Sequence, residues 1–92
     1  MIYKIEEVRA LTVGTTAQEQ EIRYQGFLLQ NNSASESVCF RDKEADGEDC
    51  TAENGFVLGP GERTQTVLTA RTLSLLATAA DTDVRLLIVD FA

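Results

Sequence analysis

Two cysteines, eleven positions apart, bracket the most chemically loaded stretch of this 92-residue sequence: Cys39-Phe40-Arg41-Asp42-Lys43-Glu44-Ala45-Asp46-Gly47-Glu48-Asp49-Cys50-Thr51-Ala52-Glu53. From 42 to 53 there are six acids and one lysine, so this segment holds -5 of the formal net charge of -7. Three chemistries fit it. The simplest is a solvated loop whose charge keeps a sheet edge soluble. The second is calcium binding. Asp42, Glu44, Asp46, Gly47 and Glu53 occupy the first, third, fifth, sixth and twelfth places of an EF-hand-type loop, with Glu48 among them. Hard cations want several carboxylate oxygens, and the glycine permits the sharp turn. Against it, Glu44 is long for its place, Asp49 stands where an aliphatic residue belongs, and the flanks read as strand and turn. The third chemistry is a Cys39–Cys50 disulfide. A loop of this size gains roughly 3 kcal/mol in the chain-entropy account. A two-residue turn at Asp46-Gly47 excludes it, because Lys43 then faces Cys50 and Cys39 faces Asn54. The cysteines are then about 13 Å out of register, whereas a bridge needs Cα atoms within about 7 Å. A looser loop permits the bridge, and a reducing cytosol favours free thiols.

Catalytic chemistry is poorly supplied, and no enzymatic activity or cofactor is expected. There is no histidine, the usual general base at neutral pH and the commonest metal ligand. The only lysines are Lys4 and Lys43. No G-x-S-x-G and no phosphate-cradling glycine loop occurs. Asp81 and Asp83 flank a turn signal and read as solvated turn residues. Two cysteines fall short of a structural zinc set. The absence of tryptophan leaves few stacking platforms for sugars. Fifteen acids against eight bases argue against nucleic acid and anionic membrane surfaces as partners. The longest apolar run, Leu86-Leu87-Ile88-Val89, is far too short to span a bilayer, and Met1–Glu7 does not read as a targeting signal.

The elements that must position these residues read mostly at period two. Glu21–Leu28 alternates polar with apolar until Gly26, where the phase shifts as at a bulge. Ser37–Arg41, Thr64–Thr69, Thr72–Ala77 and Asp83–Val89 are further strand candidates. The last becomes apolar on both faces, as a central strand does. Asn31–Ser35 reads as a polar loop, and Asp46-Gly47 and Asn54-Gly55 as hairpin dipeptides. Asp81–Asp83 reads as a tight link, and Gly59-Pro60-Gly61-Glu62 as a type II turn with Gly61 at positive φ. The expected fold is all-β: a single antiparallel β-sandwich over residues 1–92, jelly-roll-like, with residues 1–20 as an N-terminal strand or arm. The expected core includes Ile22, Tyr24, Leu28, Val38, Phe40, Phe56, Leu58, Val67, Leu73, Leu75, Val84, Leu86 and Ile88.

From about residue 22 the order of signals resembles small β-sandwich virion proteins of tailed bacteriophages. The matching pieces are Leu29-Gln30-Asn31-Asn32, Val38-Cys39-Phe40, Asn54–Glu62 with its Pro-Gly-Glu turn, Leu73–Ala77 and Asp83-Val84-Arg85-Leu86-Leu87. The stretch they punctuate, from about residue 22 onward, covers about 70 of the 92 residues; the pieces themselves are turn and core signals, so the resemblance carries over no catalytic residue. The acidic loop of 41–53 is longer than in that pattern. The resemblance implies a capsid decoration or cement protein, made in the host cytoplasm and resident in the virion. Its partners are then the major capsid protein or another virion protein. Copies of the chain itself are expected as well, a trimer favoured, because the core is small, one face of the doubly apolar Leu86–Val89 is left to meet a neighbour, and residues 1–20 read as an arm that crosses to an adjacent subunit. The alternative is a ligand-binding β-module for calcium or a surface glycan.

Overall fold

Eight segments carry strand backbone: β1 (Tyr3–Val13), β2 (Gln18–Glu21), β3 (Gly26–Asn31), β4 (Val38–Asp42), β5 (Phe56–Leu58), β6 (Leu68–Thr69), β7 (Thr72–Ala77) and β8 (Thr82–Phe91). They are seen in a computed structural model that describes residues 3–43 and 47–91. Sheet A has the order β1-β8-β3-β6 and sheet B the order β2-β7-β4-β5. All pairings are antiparallel, and every pair of strands whose numbers sum to nine is hydrogen-bonded. That is one long hairpin rolled into two facing sheets, the jelly roll. The N-terminal segment is strand: β1 runs along β8 from Tyr3↔Phe91 to Val13↔Thr82, with a bulge between Ile5 and Glu7, and β2 lies on β7.

The core fills the space between the sheets. Period-two alternation sends Val84, Leu86 and Ile88 of β8 inward, with Phe27 and Leu29 of β3, and Leu73, Leu75 and Ala77 of β7 meet them from sheet B. Phe27 and Phe40 touch edge to face across the layer, centroids 6.4 Å apart. Buried Asn31 closes one end. Its amide nitrogen donates to the carbonyls of Glu36 (2.7 Å), Leu58 (3.0 Å) and Gly59 (3.0 Å), and its Oδ1 accepts from the Ser33 N–H (3.0 Å). The type II turn is present: the Glu62 N–H donates to the Gly59 carbonyl, and Gly61 has φ 75°.

The structure corrects several sequence expectations. Glu21–Leu28 is two strands, not one bulged strand. Since β2 belongs to sheet B and β3 to sheet A, the chain must cross between layers. It does so at Ile22–Gln25, with Arg23 (φ 56°) and Tyr24 (φ 64°) in the left-handed region. The N–H groups of Ile22 and Arg23 donate to the Arg71 carbonyl and that of Tyr24 to Ala70, which stitches this crossing to the β6–β7 one. Gly26 therefore opens β3 rather than bulging a strand. A Cβ there would lie 2.7 Å from Val67 Cγ1 and 2.9 Å from Val89 Cγ2, so close packing explains the glycine. The crossing also resets the phase. Tyr24 is 61% exposed, and Phe27 and Leu29 take the core places expected for Tyr24 and Leu28. Phe56, also expected inside, is 76% exposed, and Val67 is only half-buried. Of Thr64–Thr69 only Leu68 and Thr69 form strand. Upstream, Thr64 is held to β3 by its backbone and hydroxyl bonds to Leu29 (both 3.0 Å) beside the lone Gln30↔Arg63 bridge. Asp81–Asp83 links strands of different sheets, with Asp81 at φ 58°.

Candidate functional site

The β4–β5 connection is the sole link here between neighbours in one sheet, and it carries the cysteine and acid cluster. The register Val38↔Leu58, Cys39↔Val57, Phe40↔Phe56 leaves residues 43–55 between the two strands. A tight hairpin at Asp46-Gly47 would have set Cys39 opposite Asn54, so that register is not adopted. Gly47 has φ 76°, and its N–H reaches back to the Lys43 carbonyl at 2.7 Å. Asn54-Gly55 is no hairpin turn either. It ends a turn begun at Thr51, where the Asn54 side chain accepts from the Thr51 N–H (2.7 Å) and donates to the Asp49 carbonyl (3.1 Å).

Val38 and Phe40 point into the core, so alternation turns Cys39 to the outer face of sheet B. The loop folds back over that face. The Cys50 N–H donates to Ser74 Oγ of β7 at 2.8 Å, and Cys50 Sγ lies 2.8 Å from Cys39 Sγ. Both cysteines are buried. Burial, and then the hydrogen bond to Cys39, push the Cys50 thiol up to about 12. Gly55 makes room for this sulfur: a Cβ there would stand 2.5 Å from Cys50 Sγ and 3.0 Å from the Phe40 carbonyl oxygen.

Of the acids named as calcium ligands, Asp42 ends β4 and is half-buried, while Glu48 and Glu53 are exposed. Glu44 and Asp46 lie outside the described residues. Glu48 sits 3.8 Å from the Arg41 guanidinium. Asp49 and Glu19 hold the Lys43 ammonium at 2.9 and 3.2 Å, and hydrogen bonds to both raise the Lys43 pKa, that to Asp49 more. Among the described residues, no three carboxylate, cysteine or histidine side chains gather into a metal cage.

The opposite outer surface, that of sheet A, differs in character. Its cross-strand rows are Ile5·Val89·Gly26, Val8·Leu87·Leu28 and Ala10·Arg85·Gln30. Val89 is covered, but Ile5 is 65% and Val8 61% exposed, and Leu28 and Leu87 are half-buried. An open groove of about 420 Å³ lies over this face, floored by Val8, Leu28 and Leu87 and edged by Gln30, Arg63 and Arg85. Of these residues the sequence pointed only to Leu87, through the second apolar face of Leu86–Val89; Val8 and Leu28, the rest of the floor, carried no such signal. Asn32 and then Arg85 hold the Asp83 carboxyl below its usual range beside this groove.

A third feature is the open side of the sandwich between β5 and β6. There the exposed Phe56 ring stacks on Phe40 (centroids 5.9 Å, planes 28° apart) at a cleft of about 320 Å³ that Arg41, Asp42 and Asn54 help to line. No protein-family model, curated protein or solved structure matches the chain.

Proposed function

We propose that this protein is a non-enzymatic assembly subunit, a decoration or cement protein that binds the outer surface of a phage head as a homotrimer. The observation that carries this reading is the polarity of the sandwich. One outer face offers an apolar row, Val8·Leu87·Leu28, edged by Arg63 and Arg85. The opposite outer face is roofed by a loop rich in acid. A subunit that docks by the first face keeps the second in solvent, where its negative charge keeps decorated particles apart. Exposed apolar surface with a polar rim is the usual anatomy of a protein contact. Three copies on a local three-fold repeat one modest contact, and avidity raises attachment without a large interface per chain. The jelly roll recurs in viral capsid domains, although fold alone assigns no function.

The test is attachment. Sedimentation equilibrium should give three times 10.1 kDa, and the protein should pellet with purified heads that lack it. Val8→Asp alters an exposed side chain, so its melting temperature should match the parent. Its retention on heads should fall at least tenfold, the equivalent of about 1.4 kcal/mol. A single 10.1 kDa species at micromolar concentration removes the trimer. Failure of the parent to pellet with heads removes the decoration role.

The exposed Phe56 ring, stacked on the buried Phe40, supports a second reading, a glycan-binding module, since an aromatic face beside polar side chains suits a sugar ring. A monomer whose melting temperature rises with an oligosaccharide, and whose Phe56→Ala variant does not respond, favours that reading over assembly.

A further inference from the structure

We infer that Cys39 and Cys50 are the two halves of an intramolecular disulfide that fastens the acidic loop to the outer face of sheet B. Their sulfurs stand 2.8 Å apart in a buried position. That lies between the bonded S–S distance of about 2.05 Å and a non-bonded contact, which is about 3.5–4.0 Å even between smaller carbon atoms. The approach is built from both sides. Cys39 is fixed in β4, in register with Val57 of β5 on one side and Leu76 of β7 on the other. Cys50 is fixed by its N–H bond to Ser74 Oγ and by the turn that follows it. Gly55 leaves the space that the Cys50 sulfur fills.

The surroundings suit a structural bond and not a reactive thiol. Reactive cysteines are partly exposed and electropositive, with a lowered pKa. Here both sulfurs are buried, and burial raises the Cys50 thiol far above its ordinary value despite the nearby Arg41. The bond forms by two-electron exchange with a low-molecular-weight disulfide such as oxidised glutathione. One protein thiolate attacks a glutathione sulfur and expels a glutathione thiolate. The other protein thiolate then attacks the protein sulfur of that mixed disulfide, closes the Cys39–Cys50 bond and expels the second. The two protons lost by the cysteines end on two glutathione molecules. Exchange takes place while the loop is open, before or between closures. Afterwards the burial that hinders entry of the oxidant also hinders the reductant.

The experiment uses the full chain, refolded from denaturant in a glutathione redox buffer, then denatured and treated with iodoacetamide. The expected result is no adduct without reductant and two adducts after reduction. Trypsin cuts after Arg41 and Lys43, between the cysteines. The peptides 24–41 and 44–63 should therefore stay joined until reductant is added. The reduced protein should melt about 10–20 °C lower than the oxidised one. The double variant Cys39→Ala/Cys50→Ala should melt near the reduced protein and ignore the glutathione ratio. Two adducts without reductant, glutathione retained on either cysteine, or a disulfide-linked dimer would each overturn the inference.

Discussion

At the residue scale, single polar groups decide more than the apolar pattern does. Asn31 is the clearest case. Its buried side chain serves three carbonyls and one N–H where three segments of chain end together. Asn31→Leu strands those groups without water, and the variant should lose about 3 kcal/mol of unfolding free energy in urea titration. The cysteines give a second expectation, a matter of pH. In the reduced protein the Cys50 pKa is about 12, against about 8.5 in an unfolded chain. Across that window the folded state keeps a proton that the unfolded state releases. Stability is therefore full below the unfolded value and falls as pH rises toward the folded one. The oxidised protein has no such proton. Melting curves from neutral pH to pH 10 should diverge, with the reduced form losing more stability on the alkaline side than the oxidised one. In the sequence, Asn31 is visible only as part of a polar loop, since its partners at 36, 58 and 59 become neighbours through folding. The cysteine pair is visible as a choice between two exclusive arrangements. Register decides it, and the alternation of Val38, Cys39 and Phe40 does not determine register by itself.

At the element scale, legibility follows how local the cause is. β7 and the inward face of β8 were readable because alternation alone specifies them. The Gly59–Glu62 turn was readable because proline and glycine fix its dihedrals. Gly61→Val should test that turn cleanly. A Cβ at Gly61 meets nothing within 4 Å, so the change adds strain without a clash. At φ 75° the cost should be about 1–2 kcal/mol, measured as a lower melting temperature. Gly61→Asn should cost less, because asparagine tolerates that region. The crossing at Ile22–Gln25 was illegible for the opposite reason. Arg23 and Tyr24 adopt positive φ with neither a glycine nor an asparagine to announce it. Tertiary hydrogen bonds to Ala70 and Arg71 hold them there. Once that crossing was missed, the phase of β3 had to be wrong, and Leu28 and Phe27 exchanged places.

At the scale of the whole molecule, the fold class was legible from the spacing of strands and turns, but the partnership of strands was not. β1 pairs with β8 across nearly the full length of the chain, and no local pattern encodes that. The two faces became distinguishable only with that topology, since β1 and β8 together supply Ile5, Val8 and Leu87 to one of them. The same topology dictates an order of events during synthesis. β8 is the strand between β1 and β3, and β7 is the strand between β2 and β4. Both bridging strands come from the last third of the sequence. While a ribosome is still making residues 82–91, β1 and β3 have no shared neighbour, and sheet A is no more than the short β3–β6 pair. Before β6 and β7 are made, β4 and β5 are the only pair of described strands with both members present, and their pairing is near in sequence. Until residues 82–91 are made, β1 therefore has no partner strand, and its apolar side chains stay exposed to chaperones and to copies of the chain. The six acids of residues 42–53 then oppose association of such chains by like-charge repulsion.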